Sequence, residues 1–162
     1  MIRTVTLLLC LVSVQANAVT WNVAPTSGGF DAGHTLYAKA ASPVNAWLRK
    51  VTPELSFQCD KKGVRLWLDV GTSLTYTGTY RQGRVRLRID GGTPVSETWT
   101  ESSSHGVYGS PNSAARLAKF VPAKLVELEI TPHNAGPVTV TFDMSDFAKA
   151  ASEFDASCKR KP

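Results

Sequence analysis

The chain is poor in the residues from which metal centres and nucleophilic active sites are built. Its 162 residues hold three cysteines and three histidines. His34, His105 and His133 are widely spaced, each beside Gly, Ser or Asn in a stretch that reads as loop. No His-Glu-x-x-His pairing links them, so the helix-borne zinc-protease arrangement is excluded. No Gly-x-Ser-x-Gly elbow is present to activate a serine, although "SSSH" at 102–105 sets a histidine beside serines. The glycine pair at 91–92 leads into no helix, which removes a phosphate-cradling loop. Internal repeats and low-complexity tracts are also missing. With no converging nucleophile, base and oxyanion donor, the expected function is non-enzymatic, with no cofactor and no metal.

Long apolar runs are equally scarce, and the one near the N-terminus is short. "MIRTVTLLLCLVSVQANAVTW" has Arg3, an apolar stretch from Val5 to Val14, and Ala16-Asn17-Ala18 as a small-x-small cleavage site. A bilayer span needs about 20 residues, so the pattern reads as a signal peptide over 1–18, removed on export. Cys10 lacks the small residues that precede a lipidated cysteine. The expected product is one periplasmic domain over 19–162, with no stable membrane insertion after cleavage.

Loss of the leader takes Arg3 away and lowers the net charge from +5 to +4. Three of those charges sit in the terminal "CKRKP". The remaining body is nearly balanced, so nucleic acid, which is met by a concentrated basic face, is not an expected partner. Two cysteines survive processing, Cys59 and Cys158, 99 positions apart. In an oxidising compartment an even pair reads as a disulfide. Zinc is the competing reading, but two cysteines without neighbouring histidines supply too few ligands.

What the chain has in quantity is period-two alternation. "ELSFQC" sets Leu55, Phe57 and Cys59 opposite Glu54, Ser56 and Gln58. "KGVRLWLDV" sets Val64, Leu66, Leu68 and Val70 opposite Arg65, Trp67 and Asp69, after a turn at 61–63. "LTYTGTY", "RVRLRI", "KLVELEI" and "VTVTFDM" continue the pattern, and Thr35–Ala40 is a weaker strand. Two segments change period. "SPNSAARLAKF" reads as a short helix with Ser110 as N-cap and Pro111 in its first turn. "SDFAKAASEFDASC" reads as a second, capped by Ser145, with Phe147, Ala150, Ala151, Phe154 and Cys158 on one stripe. The expected fold is mainly β (α+β): an antiparallel sheet or small sandwich with two short helices, the C-terminal one tied down by the disulfide.

One strand carries a row of arginines, Arg84, Arg86 and Arg88, opposite Val85, Leu87 and Ile89. In one hairpin register Arg88 faces Glu97, Arg86 faces Trp99 and Arg84 faces Glu101. A one-residue slip buries Trp99 beside Val85 and turns Glu97 inward as well. The large apolar area of Trp favours the slip. The arginines face outward in both registers. Glu127 and Glu129 form an outward acidic pair that neutralises them if the strands are neighbours. A solvated, charge-laced face is therefore the leading reading, and a partner-binding face is the other.

A strand ending at Cys59, the run "RIDGGTP" followed by Trp99, and "LEITPHNAGPVTVTFDMSDF" before a helix ending at Cys158 together resemble the VasI-type family. These are exported bacterial proteins encoded beside type VI secretion genes. The resemblance covers residues 54–158 and rests on Arg88-Ile89-Asp90, Trp99, Thr131-Pro132, Phe142-Asp143 and Cys158. It implies an envelope location and a secretion-associated setting, and carries no catalytic centre. The expected function is thus a non-catalytic periplasmic accessory or binding protein whose partner is an envelope or secreted protein. The alternative is an inhibitor or immunity-like protein, of a kind carried on mobile elements, that blocks a cell-wall hydrolase or an incoming effector. In that reading the polar segment 101–111 plugs the enzyme's cleft. Arg84, Arg86, Arg88, His105 and Tyr108 are the candidate partner-binding residues.

Overall fold

The computed structural model describes residues 19–26, 33–46, 49–60, 62–78, 81–102 and 106–159. The expected leader over 1–18 and His105 lie outside the described residues. Among the described residues, eleven strands and two helices follow in the order β1 (Asn22–Thr26), β2 (Gly33–Lys39), β3 (Val44–Ala46), β4 (Arg49–Val51), β5 (Glu54–Asp60), β6 (Gly63–Asp69), β7 (Gln82–Ile89), β8 (Val95–Glu101), β9 (Val107–Gly109), α1 (Ser113–Phe120), β10 (Leu125–Ile130), β11 (Val138–Asp143) and α2 (Phe147–Lys159). Nine strands form one sheet in the order β1-β2-β5-β6-β9-β8-β7-β10-β11, while β3 and β4 pair separately. Every pairing is antiparallel.

Alternation decides which face of the sheet is inside. Leu55 and Phe57 of β5, Leu66 and Leu68 of β6, Val85 and Leu87 of β7, Val126, Leu128 and Ile130 of β10, and Val140 and Phe142 of β11 are all buried. Each fully buried side chain of this size contributes about 1.5 to 3 kcal/mol of transfer free energy. The two helices close this face. Phe57 meets Phe120 of α1 and Phe147 of α2 with both ring centroids at 5.8 Å. In α2, Phe147, Ala150, Ala151 and Phe154 are buried on one stripe, as their helical spacing requires. The Trp21 indole N–H donates to the Asp143 carbonyl at 2.9 Å, and its ring stands 4.6 Å from Phe147. The first and last strands of the order are thereby drawn together over the same aromatic cluster. The Cys59–Cys158 disulfide ties α2 to β5, with the two Cα atoms 6.1 Å apart.

The hairpin of β7 and β8 takes a register that differs from both sequence readings. Gly83 opposes Trp99, Val85 opposes Glu97 and Leu87 opposes Val95. Trp99 is buried, as the slipped register expected, but beside Gly83 in place of Val85. The backbone at Gly83 is also closely packed. A Cβ at Gly83 would lie 2.8 Å from Leu74 Cδ1 and 3.2 Å from Tyr108 Cε1, so only glycine leaves these rings and branches room. The connection is also longer than a tight hairpin. Asp90 and Gly91 take φ of 49° and 70°, and the Asp90 carboxylate accepts from the Lys124 and Leu125 amides, both at 2.8 Å. Asp90, one of the residues carrying the family resemblance, thus seats the start of β10.

Other boundaries moved as well. α1 starts at Ser113 and not at Pro111, because Ser110 Oγ accepts the Asn112 amide in a local turn and no side chain caps the first helical turn. Of "LTYTGTY", the described residues 74–78 form isolated bridges at Leu74 and Tyr76 where a strand was expected. Val107–Gly109, read as loop, is the short strand β9. His34 lies on β2 opposite Cys59 and not in a loop.

Candidate partner-binding surface

The outward face of the sheet carries the arginine row between two acidic neighbours on β10. Arg88 opposes Glu127 and Arg86 opposes Glu129 in the strand register. Arg88 binds Glu127 in a fork, with both N···O distances 2.6 Å, and Arg86 reaches Glu129 at 2.7 Å. The Arg88 guanidinium holds the Glu127 carboxyl below its ordinary value, with burial acting the other way. Such exposed pairs are worth little in water and are screened by salt. They do settle the charge of the row: two of the three arginines are already matched within the sheet. On β8 the row faces Ser96 and Thr98, so the pairings with Glu97, Trp99 and Glu101 are not made. Arg84 stands opposite Thr98 with no ion-pair partner among the described residues.

Tyr108 is not a surface residue. It is fully buried, and its hydroxyl accepts the Leu74 amide at 2.7 Å while donating to Glu101 at 3.2 Å. Glu101 is buried too and collects donors from the Gly106 amide at 2.9 Å, Tyr76 at 3.0 Å and Ser73 at 3.1 Å. Burial alone pushes the Glu101 carboxyl upward, but the amide and the three hydroxyls outweigh it and hold the group below the ordinary range. This carboxylate ties the 71–76 segment and β9 to the end of β8. Tyr108 is therefore withdrawn as a contact residue for any plug formed by segment 101–111.

A second inward carboxylate sits two pleats away on β8. Glu97 accepts from the Trp99 indole at 2.9 Å and the Asn112 side-chain Nδ2 at 3.4 Å, and pairs with the Arg116 guanidinium of α1. Arg116 is buried, and Glu97 is largely enclosed. Burial pushes Glu97 upward, while the Trp99 N–H and the Arg116 guanidinium more than reverse it. The strand register turned Glu97 inward, and the helix supplies the compensating charge.

Sequence reasoning did not single out the outer surface of β5, β6 and β9. Here Trp67 stands opposite Ser56 on one side and Gly109 on the other. A Cβ at Gly109 would lie 2.8 Å from Trp67 Cζ3, so the indole rests over bare backbone. Arg65 holds its guanidinium 5.9 Å from the indole centroid and also pairs with Asp60. The indole N–H is enclosed and has no acceptor among the described residues. A hollow of about 300 Å³ lies on either side of this ring. One is bordered by Glu54, Ser56, Gln58 and Asp69, the other by Arg65, Thr100, Ser110 and Pro111. The signal was available in the sequence. Alternation already faced these residues outward, and the pairing that begins at Asp60 and Gly63 sets Glu54 opposite Asp69.

No group of His, Cys, Asp and Glu among the described residues is placed to hold a metal ion. Among the same residues, no helix is long and apolar enough to cross a membrane.

No protein-family model matches the chain, and no curated protein matches it. Among solved structures the chain is similar to invasion associated protein B from Bartonella henselae, with a TM-score of 0.61 and 16% identity over 89% of this chain and 97% of the other. At that identity the likeness is one of fold.

Proposed function

We propose that this protein is a non-catalytic accessory module of the bacterial envelope, exported to the periplasm, that works by contacting another envelope protein. The observation that carries the reading is the outer sheet surface around Trp67. An aromatic ring and a set of polar side chains stand there on strands clasped by the Cys59–Cys158 disulfide. Three further features support it: the leader pattern before Val19, the disulfide chemistry of an oxidising compartment, and the resemblance over residues 54–158 to exported proteins encoded beside type VI secretion genes. The inward carboxylates Glu97 and Glu101 are committed to holding α1 and β9 in place, so their chemistry is structural in this reading.

The test is affinity capture from periplasmic extract with the oxidised mature chain as bait, followed by cross-linking in cells. Enrichment of one specific envelope protein, repeated in the cross-linked sample, is the expected result. Repeated capture of nothing specific, or a tagged chain that fractionates with the cytoplasm, overturns the proposal.

A further inference from the structure

Charges on the outer face are matched almost everywhere they meet. Asp60 pairs with Arg65, Glu127 with Arg88 and Glu129 with Arg86. The hollow on one side of Trp67 breaks the pattern. Glu54 of β5 and Asp69 of β6 are directly opposed in the register and face the same way. Like charges so placed are mutually destabilising. One Asp69 oxygen accepts the Gly71 amide at 2.8 Å. Glu54 has neither a hydrogen-bond donor nor an ion pair among the described residues. Lys39 stands across from it on β2 without closing to ion-pair distance. Burial pushes the Glu54 carboxyl upward, Lys39 draws it back, and Asp69 adds to the rise.

Trp67 forms the wall between this hollow and its neighbour. On the neighbour's side a cation, Arg65, already lies against the indole. On the Glu54 side the two anions and the ring border the hollow with no cation in its lining, Lys39 standing beyond Glu54 on β2. Ring quadrupole and carboxylates attract the same kind of group, an ammonium or guanidinium.

We infer that the hollow between Trp67, Glu54 and Asp69 receives a basic side chain, lysine or arginine, presented by the partner protein. The identity of the presenting molecule rests on the accessory-module reading; the site itself rests on charge complementarity.

The test uses the oxidised mature chain, ¹⁵N-labelled, with the Trp67 indole resonance assigned through Trp67→Phe. The probes are a glycine-rich peptide carrying one lysine, its arginine counterpart, the lysine peptide with its amine acetylated, and a neutral N-acetylglucosamine oligomer. The lysine and arginine peptides are expected to shift the Trp67 resonance, more weakly as salt rises. The acetylated peptide should not. Glu54→Gln and Asp69→Asn, both conservative at solvent-facing positions, are expected to weaken binding about tenfold each. Equal shifts from the acetylated peptide, unchanged affinity in the double variant, or a response to the sugar alone overturns the inference. Affinity capture with the double variant separates the two proposals. If it recovers the same envelope protein as the unaltered chain, the basic-side-chain site falls and the accessory reading stands. If neither bait recovers a protein while the lysine peptide binds, the accessory reading falls and the site stands.

Discussion

Tyr108 and Glu54 show opposite uses of a polar side chain in one sheet. Tyr108 is enclosed and fully engaged, so removing its oxygen strands the Leu74 amide and takes a donor from Glu101. Tyr108→Phe is expected to cost about 1 to 3 kcal/mol, read as a lower urea midpoint under non-reducing conditions. Glu54 is under-engaged, and its folded carboxyl is raised. For an acid whose folded value lies above its unfolded one, the neutral form suits the fold, and stability is lost as pH rises through that value. Glu54→Gln should therefore raise the urea midpoint at pH 7 and leave it unchanged at pH 3, where both side chains are neutral. A lower midpoint at pH 7 would mean that the Glu54 charge stabilises the fold. Glu97 and Glu101 run the other way. Their folded values are lowered, so their contribution is complete above the ordinary carboxylate range and drains away as pH falls below it. Acid titration of stability should show its steepest loss below about pH 4.5, and Glu101→Gln should flatten that limb.

At the scale of elements, α1 depends on β8 for its place. It is eight residues long and has no side-chain cap, and helices of that length are marginal without packing. Arg116 anchors it by its enclosed pair with Glu97. Arg116→Met leaves the Glu97 charge uncompensated and is expected to cost about 3 to 5 kcal/mol. Adding Glu97→Gln, which keeps an acceptor for the Trp99 indole, should recover much of the loss. Failure of the double variant to recover, measured by urea unfolding, would place the cost in packing of the Arg116 stem. This tether also marks the limit of what was legible. Strands whose apolar residues alternate cleanly, such as β5, β6, β10 and β11, announced both their presence and their inner face. So did α2, through the spacing of Phe147, Ala150, Ala151 and Phe154. The register of β8 did not announce itself, because its inward side chains meet partners distant in sequence, Glu97 on Arg116 of α1 and Glu101 on Ser73 and Tyr76. β9 was hidden for a similar reason. Three residues carry no readable period, and their pairing with β6 and β8 is created by the tertiary fold. Of the candidate contact residues, the outward facing of Arg86 and Arg88 was readable from alternation, and their acidic partners were too once β7 and β10 were taken as neighbours. The burial of Tyr108 was not, since its phenol is held by groups 34 and 7 positions away.

At the scale of the whole molecule, the disulfide joins residues 99 positions apart. In the chain-entropy view, closing a loop of that size is worth about 4 to 5 kcal/mol. Cys59→Ser with Cys158→Ser is expected to lower stability by a substantial part of this, read as the drop in urea midpoint relative to the oxidised chain. An equal midpoint would show that Phe147 and Phe154 seat α2 unaided. The same bond has a temporal consequence. Its second half stands in the last helix, while β6 must leave a gap until β9 arrives to fill it. On a nascent thread, therefore, the seal set up at β5 is applied only after the strands and helices from β6 to α2 have followed it.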